Sequence, residues 1–234
     1  MSSEINFETY LLIDKKKFIF QVIQKNSFES IYFDQMLFNE DYSQLNFKRL
    51  NEFIEKNIFK VEKILKNFIK NIDIILDNEK FLPIKLSIKK NNNGNYINSN
   101  SLLHPLNDLK NSCQSNFSDK KIIHMLIESY LIDNKEYSNL PVNLKCNTFS
   151  LDVSFICLPN DFVTDLESVL KKYHIMVTQI LCLNYLKSFI DENNQNIFST
   201  ASRIKSGSNE NEVLLVSKTS KNKGFFEKFF DFFT

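Results

Sequence analysis

The sequence has 234 residues, of which 43% are hydrophobic, and a formal net charge of +1, so it can fill a core and is not disordered throughout. This balance excludes both a global basic field of the kind that attracts nucleic acid and an acidic solvating tail. With only two arginines, Arg49 and Arg203, an RNA-binding aromatic platform is not expected either.

The first part of the chain predicts a strand meander that is followed by a helix. Short β-rich runs separated by lysine-containing turns fill residues 9–38 and are typical of three antiparallel strands. From Leu45 to Ile72 apolar residues recur at spacings of three and four, which predicts one long amphipathic helix. Residues 82–89 alternate apolar and polar side chains, which predicts a strand that ends at the turn Asn91-Asn92-Asn93-Gly94.

The middle of the chain predicts a smaller sheet layer with two helices. We expect strands around 96–97 and over 121–133, 148–158 and 174–183, and helices over 105–116 and 162–173. Asn160 and Asp161 can cap the second of these helices. The order strand, helix, strand, strand, helix, strand indicates a small α+β domain.

The end of the chain predicts a tether and an aromatic helix. Residues 197–204 favour a short helix and residues 213–216 a short strand, and a basic linker with Lys218, Lys221 and Lys223 follows. Wound as a helix, the last ten residues place six phenylalanines on one face, with Glu227, Lys228 and Asp231 on the other: Phe225, Phe226, Phe229, Phe230, Phe232 and Phe233. Such a stripe is typical of a helix that lies in a membrane interface, and the alternative is that it packs on this protein or on a partner.

Other common classes of protein lack support in the sequence. The acidic residues near the N-terminus are atypical of a signal peptide, and no apolar run approaches the ~18 residues that span a bilayer. The four cysteines have irregular spacing, so we expect reduced, packed thiols rather than a metal or redox site. His124 is interpreted as a packed or hydrogen-bonded structural residue, since no second ligand accompanies it.

One stretch carries a family resemblance. His124, Tyr130 and Asp133 are followed by Pro141 and Val142 in a loop, and then by the segments LDVSFICL, DFVTDLESVLKKYHI and VTQIL. In order and spacing this stretch resembles the inserted domain of FtsA, the actin-like bacterial cell-division protein. FtsA proteins also end in a basic linker and an amphipathic membrane-targeting helix, as this chain does.

The resemblance implies an α+β fold made of a truncated actin-like subdomain, an inserted small sheet domain and a C-terminal amphipathic helix. The corresponding segments are the first actin-like subdomain at 1–94, the inserted domain at 95–190, a segment returning to the first subdomain at 191–216, the linker at 217–224 and the membrane helix at 225–234. The second actin half would be missing, since nothing in the sequence corresponds to it.

The first hairpin departs from the family pattern. FtsA binds ATP through glycine-containing hairpins, whereas this chain has Asp14-Lys15-Lys16-Lys17 at that position and three glycines in all. Side chains crowd the turn where backbone amides would close on a phosphate, so we expect no nucleotide site. We likewise expect no catalytic residue, metal or cofactor. Asn143 and Cys146 replace glycines that the family favours in the loop after the long strand.

By this resemblance the chain is a non-enzymatic FtsA-like adaptor that links divisome proteins to the cytoplasmic face of the bacterial inner membrane at the division site. The expected partners are anionic lipids, divisome proteins with FtsZ as a candidate, and further copies of this chain. The membrane-binding residues would be the six phenylalanines together with Lys221, Lys223 and Lys228. The alternative function is an interaction module of another envelope assembly, such as a type IV pilus platform.

Overall fold

A computed structural model describes residues 6–38, 45–141, 143–190 and 196–213. The fold is α+β with two sheets, and the chain divides into two compact units. The first unit comprises Met1–Glu79 and Asp161–Ser202, and the second comprises Lys80–Asn160 and Arg203–Thr234. The residues of the predicted linker and membrane helix, 217–234, lie outside the described part of the chain.

The sheet of the first unit has five strands. In sheet order they are β3 (Ser30–Leu37), β2 (Lys17–Gln24), β1 (Phe7–Ile13), β4 (Asn71–Leu76) and β9 (Met176–Cys182). The predicted meander is confirmed, because β1, β2 and β3 pair antiparallel in succession. The strands β1, β4 and β9 are parallel, so their carboxyl ends share one edge of the sheet and their amino ends the other.

The long helix predicted from Leu45 to Ile72 is shorter in the structure. Helix α1 (Phe47–Leu65) begins at the N-cap Asn46, whose side chain accepts the Arg49 amide at 3.1 Å. It ends at Lys66, which adopts a left-handed φ of 52°. The apolar residues that continue the helical period beyond Leu65 belong to the connection after α1 and to β4, a strand that was not predicted from the sequence.

Helices cover both faces of the first sheet. On one face Phe53 of α1 packs against Phe18, with ring centroids 6.0 Å apart. Because sheet residues alternate between faces, Tyr10 belongs to the other face, where Phe198 lies 5.8 Å from its ring. Three further helices come after residue 159 in the chain: α3 (Asn160–Lys171), α4 (Leu183–Lys187) and α5 (Ile197–Lys205).

The sheet of the second unit has four antiparallel strands. In sheet order they are β5 (Leu82–Asn91), β8 (Thr148–Pro159), β6 (Lys120–Ile132) and β7 (Lys135–Tyr137). One face forms the core of the unit under helix α2 (Ser99–Asn116), while the other carries polar side chains such as Ser87 and Asp152. Helix α2 starts earlier than the predicted position 105, because Asn98 and Ser101 form a capping box.

Two strands belong to a different sheet than predicted. β5, which we assigned to the first unit, pairs along its whole length with β8 of the second unit. β9, which we assigned to the inserted domain, pairs in parallel with β4 of the first unit. The chain therefore leaves the first unit at Glu79 and re-enters it at Asp161, whereas the expected limits were 94 and 190. The strand expected at 96–97 is reduced to a single bridge between Tyr96 and Lys145.

A buried asparagine gives a test of the packing between α1 and β3. Asn57 is fully buried, accepts the Tyr32 hydroxyl at 2.5 Å and donates to the Phe53 carbonyl at 2.8 Å. We expect Asn57→Ala to lower the free energy of unfolding by about 1–3 kcal/mol, because the Tyr32 hydroxyl loses its partner in a half-buried place. Urea unfolding measures this, and Lys60→Ala on the exposed face of α1 should change stability by less than ~0.5 kcal/mol. Equal effects of the two substitutions would contradict the assigned role of Asn57.

Candidate functional site at the base of the C-terminal tether

The last described residues of the chain are bonded into the second sheet. We call residues 209–213 the closing segment. Val213 donates its amide to the Met125 carbonyl at 2.9 Å, and Ile127 donates to the Asn211 carbonyl at 2.9 Å. These bonds flank an antiparallel bridge between Leu126 and Glu212. The closing segment therefore adds a short strand to β6, and the chain is fixed at the point from which residues 214–234 continue. The sequence predicts a short strand at 213–216, of which only Val213 is described.

A buried polar pair lies beside this added strand. The His124 Nδ1 atom and the Glu212 Oε2 atom are 3.0 Å apart, and the other carboxylate oxygen accepts the Met125 amide at 3.3 Å. Both side chains are almost completely buried, with exposures of 0% and 1%. A buried carboxylate without partners is strongly unfavourable. The partners of Glu212 belong to β6, so its burial requires that the closing segment stays paired with β6.

A second side-chain contact holds the closing segment to β6. Tyr130 donates its hydroxyl to the side-chain oxygen of Asn211 at 3.0 Å, and Asn211 donates to the Ser138 carbonyl at 2.9 Å. Burial, together with the nearby charge of Glu210, raises the pKa of Tyr130 well above its usual range. The phenol therefore remains a donor at any physiological pH.

Asp133 lies in the hairpin turn between β6 and β7, and its carboxylate binds the start of β8. It accepts the amides of Asn147 and Thr148 at 3.0 and 2.9 Å, and these bonds lower the pKa of its carboxyl group. Asp133 and Asn134 both have positive φ, 44° and 68°, as a tight two-residue hairpin turn requires. Asn143, at a position where the resemblance expected glycine, likewise has a φ of 58°, which asparagine tolerates better than most residues.

The three residues that carried the resemblance thus have structural roles, and two of them hold the closing segment. His124 is packed and hydrogen-bonded, as predicted. The partners of His124 and Tyr130 cannot be identified from the sequence, because Glu212 and Asn211 are 88 and 81 residues away along the chain. A glutamate and an asparagine in a polar stretch give no sign of burial until the strand pairing is known.

The first hairpin lies where the carboxyl ends of β1 and β4 meet. The Asp14 amide donates to the Lys17 carbonyl at 2.9 Å, and the Lys16 amide donates to the Asp14 carboxylate at 3.0 Å. A cavity of about 20 Å³ beside the hairpin is lined by three carboxylate side chains, by Lys15, Asn46 and Asn78, and by apolar residues. The carboxylates are those of Asp14, Asp77 and Glu79, and the Glu79 carboxylate lies 3.8 Å from the Lys15 ammonium group. A cavity of this volume holds about one water molecule.

The thiols and the ionisable residues give no second site within the described ranges. All four cysteines are buried and unlinked, as predicted, and burial raises the pKa of Cys157 to about 12. In this part of the chain no three His, Cys, Asp or Glu side chains are grouped so that they could hold a metal ion. Nor is any helix there both long and apolar enough to cross a bilayer.

The predicted membrane-binding residues belong to the last part of the chain. All nine lie beyond Val213 and outside the described residues: Lys221, Lys223, Phe225, Phe226, Lys228, Phe229, Phe230, Phe232 and Phe233. The structure shows only where the chain that leads to them begins.

Comparison with known proteins gives distant structural neighbours. No protein-family model matches the sequence, and no curated protein matches it. The chain is similar to a solved structure described as the PilM-PilN type IV pilus biogenesis complex, with a TM-score of 0.49 and 7% identity over 79% of this chain and 49% of that one. It is also similar to a protein of Bacteroides thetaiotaomicron described as having an actin-like ATPase fold and unknown function, with a TM-score of 0.32 and 11% identity over 80% and 56% of the two chains.

The chain therefore spans about half the length of both solved chains. At these identities and TM-scores the likeness carries no conclusion about function. The resemblance to FtsA stays a prediction from the sequence.

The buried pair gives a direct test of the closing segment. Glu212→Ala leaves the His124 ring and the Met125 amide without their acceptor, so we expect a loss of about 2–5 kcal/mol in the free energy of unfolding. Hydrogen exchange at the Met125 and Ile127 amides should speed up roughly tenfold or more as the added strand opens. Glu210→Ala, at the exposed neighbouring carboxylate, is the matched control and should change both quantities little. If the two variants behave alike, Glu212 does not hold the segment.

Proposed function

We propose that this chain is a non-enzymatic, membrane-attached adaptor of the FtsA type. In this proposal the folded body binds other proteins of the division machinery, and the aromatic segment 225–233 binds anionic lipid on the cytoplasmic face of the bacterial inner membrane. The observation that carries the proposal is the closing segment. It joins the second sheet through backbone bonds and a buried polar pair, and it ends three residues before the basic linker.

This arrangement would couple a lipid-bound segment to the fold. Val213 is fully buried, so the chain cannot slide or swing at that residue without opening the sheet. The residues between Val213 and the aromatic segment span at most about 40 Å even when fully extended. A bilayer bound by residues 225–233 would therefore stay within a short, fixed radius of the second unit.

One such aromatic segment supports reversible rather than permanent attachment. A fully buried phenylalanine contributes about 1.5–3 kcal/mol, but side chains in a membrane interface are only partly buried. Lys221, Lys223 and Lys228 would add up to ~1 kcal/mol each near an anionic leaflet. Stable attachment then requires several copies held together, which is the reason we propose self-association as part of the function.

The first hairpin supports a non-enzymatic role. Lys15, Lys16 and Lys17 occupy the turn in place of glycine, and the cavity beside it holds about one water molecule. We propose that the fold is used as a scaffold without nucleotide turnover. A thermal-unfolding experiment with Mg-ATP examines this proposal, because a rise in Tm of several degrees would contradict it.

The aromatic segment can be tested with vesicles. We expect Phe229→Asp together with Phe230→Asp to lower binding to vesicles of phosphatidylcholine and phosphatidylglycerol by about tenfold or more, because two charges enter the lipid-facing stripe. Co-sedimentation measures the bound fraction. Asp231→Ala on the polar face of the same segment is the matched control and should bind as the unchanged chain does. Equal binding of the double variant would refute the anchor.

The cellular role requires a second experiment. A fluorescent fusion of the full chain should form a ring at midcell if the partners are divisome proteins, with FtsZ as a candidate, and the Phe229→Asp and Phe230→Asp substitutions should disperse it. Polar foci would favour the alternative, an interaction module of a type IV pilus platform. A diffuse signal of the unchanged chain would contradict both assignments.

A further inference from the structure

Apolar side chains are exposed at one end of the first unit. Among the described residues, three of the four most exposed large hydrophobic side chains belong to α1, to the connection after it and to β9: Phe59 at 75%, Phe68 at 74% and Met176 at 64%. Ile64, in the last turn of α1, is 52% exposed. Single exposed apolar residues are common, but a group at one end of a unit requires an explanation.

Backbone contacts bring Met176 beside the connection that contains Phe68. Met176 donates its amide to the Lys70 carbonyl at 2.9 Å, which fixes the start of β9 beside the connection that contains Phe68. One residue earlier in that connection, the Ile69 amide donates to the Glu62 carboxylate at 3.1 Å. Phe68 thus lies beside two anchored positions, while its own side chain projects into solvent.

Lysines surround the exposed apolar side chains. Lys63 and Lys66 follow Phe59 by four and seven residues and so continue the same side of α1. Lys70 comes two residues after Phe68, Lys171 is the last residue of α3, and Lys172 follows it shortly before Met176. All five lysines are exposed, and none forms a salt bridge within the described part of the chain.

Carboxylates are few in this place. Glu62 is bonded to the Ile69 amide, Glu55 lies near Tyr173, and Glu167 lies one helical turn before Lys171. Five lysines against these three carboxylates leave a local positive charge, although the whole chain has a net charge of only +1. We call this surface the basic apolar end; it consists of Phe59, Ile64, Phe68, Met176 and the lysines Lys63, Lys66, Lys70, Lys171 and Lys172.

We propose that the basic apolar end is a second membrane-contact surface, which binds the anionic lipids of a bilayer independently of residues 225–233. Exposed Phe, Met and Ile side chains among unpaired lysines match the two regions of one leaflet of such a membrane. The apolar groups enter the interface, and the ammonium groups meet the lipid phosphates. The long lysine side chains keep their charge at headgroup level while their methylene groups lie along the apolar surface.

Charge complementarity favours lipid over a protein partner as the occupant. An acidic protein would have to match five separated lysines that belong to two helix ends and one connection, whereas an anionic leaflet presents negative charge over its whole plane. Contact with it needs no defined groove. The binding is expected to weaken steeply with salt, because surface charges are screened within about 10 Å at 0.1 M ionic strength.

The experiment uses the full chain and vesicles of two compositions, phosphatidylcholine alone and phosphatidylcholine with phosphatidylglycerol. Lys66→Glu with Lys70→Glu should weaken binding to the anionic vesicles by roughly tenfold or more, since each lysine near such a surface contributes about fivefold and the reversal also adds repulsion. Phe68→Ser with Met176→Ser should weaken it by about fivefold or more. Circular dichroism melts show whether each variant is folded.

Matched controls lie at the opposite end of the same sheet. Leu37→Ser removes an apolar side chain that is as exposed as Met176, at 64%, and Lys16→Glu reverses an exposed charge in the first hairpin. Both controls should bind anionic vesicles as the unchanged chain does. Substitutions at the basic apolar end that weaken binding no more than these controls would overturn the proposal.

The same variants separate this proposal from the aromatic anchor. In a chain with Phe229→Asp and Phe230→Asp, residual binding to anionic vesicles should remain and should be lost when Lys66→Glu and Lys70→Glu are added. If residual binding is unaffected by these charge reversals, the proposed surface is wrong whatever residues 225–233 do. If the variants leave vesicle binding unchanged but alter sedimentation velocity, the surface is a contact between copies of the chain, and the lipid proposal is overturned.

Discussion

The first sheet depends on the parallel pairing of β4 with β9. The two strands are far apart along the chain. Between them the Thr178 hydroxyl donates to the Asp73 carboxylate at 2.6 Å, and these two residues are separated by 105 positions. Parallel neighbours require a crossover, and here the crossover contains the whole of residues 80–160, which fold as a separate sheet. The pairing also brings Met176 beside Lys70, and it therefore creates the basic apolar end from two parts of the chain that the sequence keeps far apart.

The second unit is completed by a segment that comes later than its own strands. Its sheet has four strands, to which the closing segment adds Glu212 as partner of the buried His124 and Asn211 as partner of Tyr130. Each contact satisfies a polar group inside the fold, so removing the segment would leave buried donors and acceptors unpaired. The same contacts therefore stabilise the second unit and fix the point from which residues 214–234 continue.

Both proposals invoke weak contacts with lipid. Residues 225–233 and the basic apolar end would each bind a bilayer reversibly, and the first contact would raise the effective concentration of the second. The exposed lysines of the first unit and the lysines of the linker would both be attracted by the same anionic charge. Attachment would then depend on lipid composition and on the number of associated copies more than on any single residue.

The sequence alone determined the local elements, because the meander, α1, α2, β6, β8 and α3 have clear periodicities and caps, and it determined that His124 and the cysteines would be packed. It also supplied the aromatic stripe of residues 225–233, which lies outside the described residues. Only the tertiary structure decided which sheet β5 and β9 join, that β4 follows α1 and that Glu212 is buried. The physical reason is that strand pairing and the burial of a polar side chain depend on distant partners, such as those 65 to 105 residues away in the chain, which local pattern cannot identify.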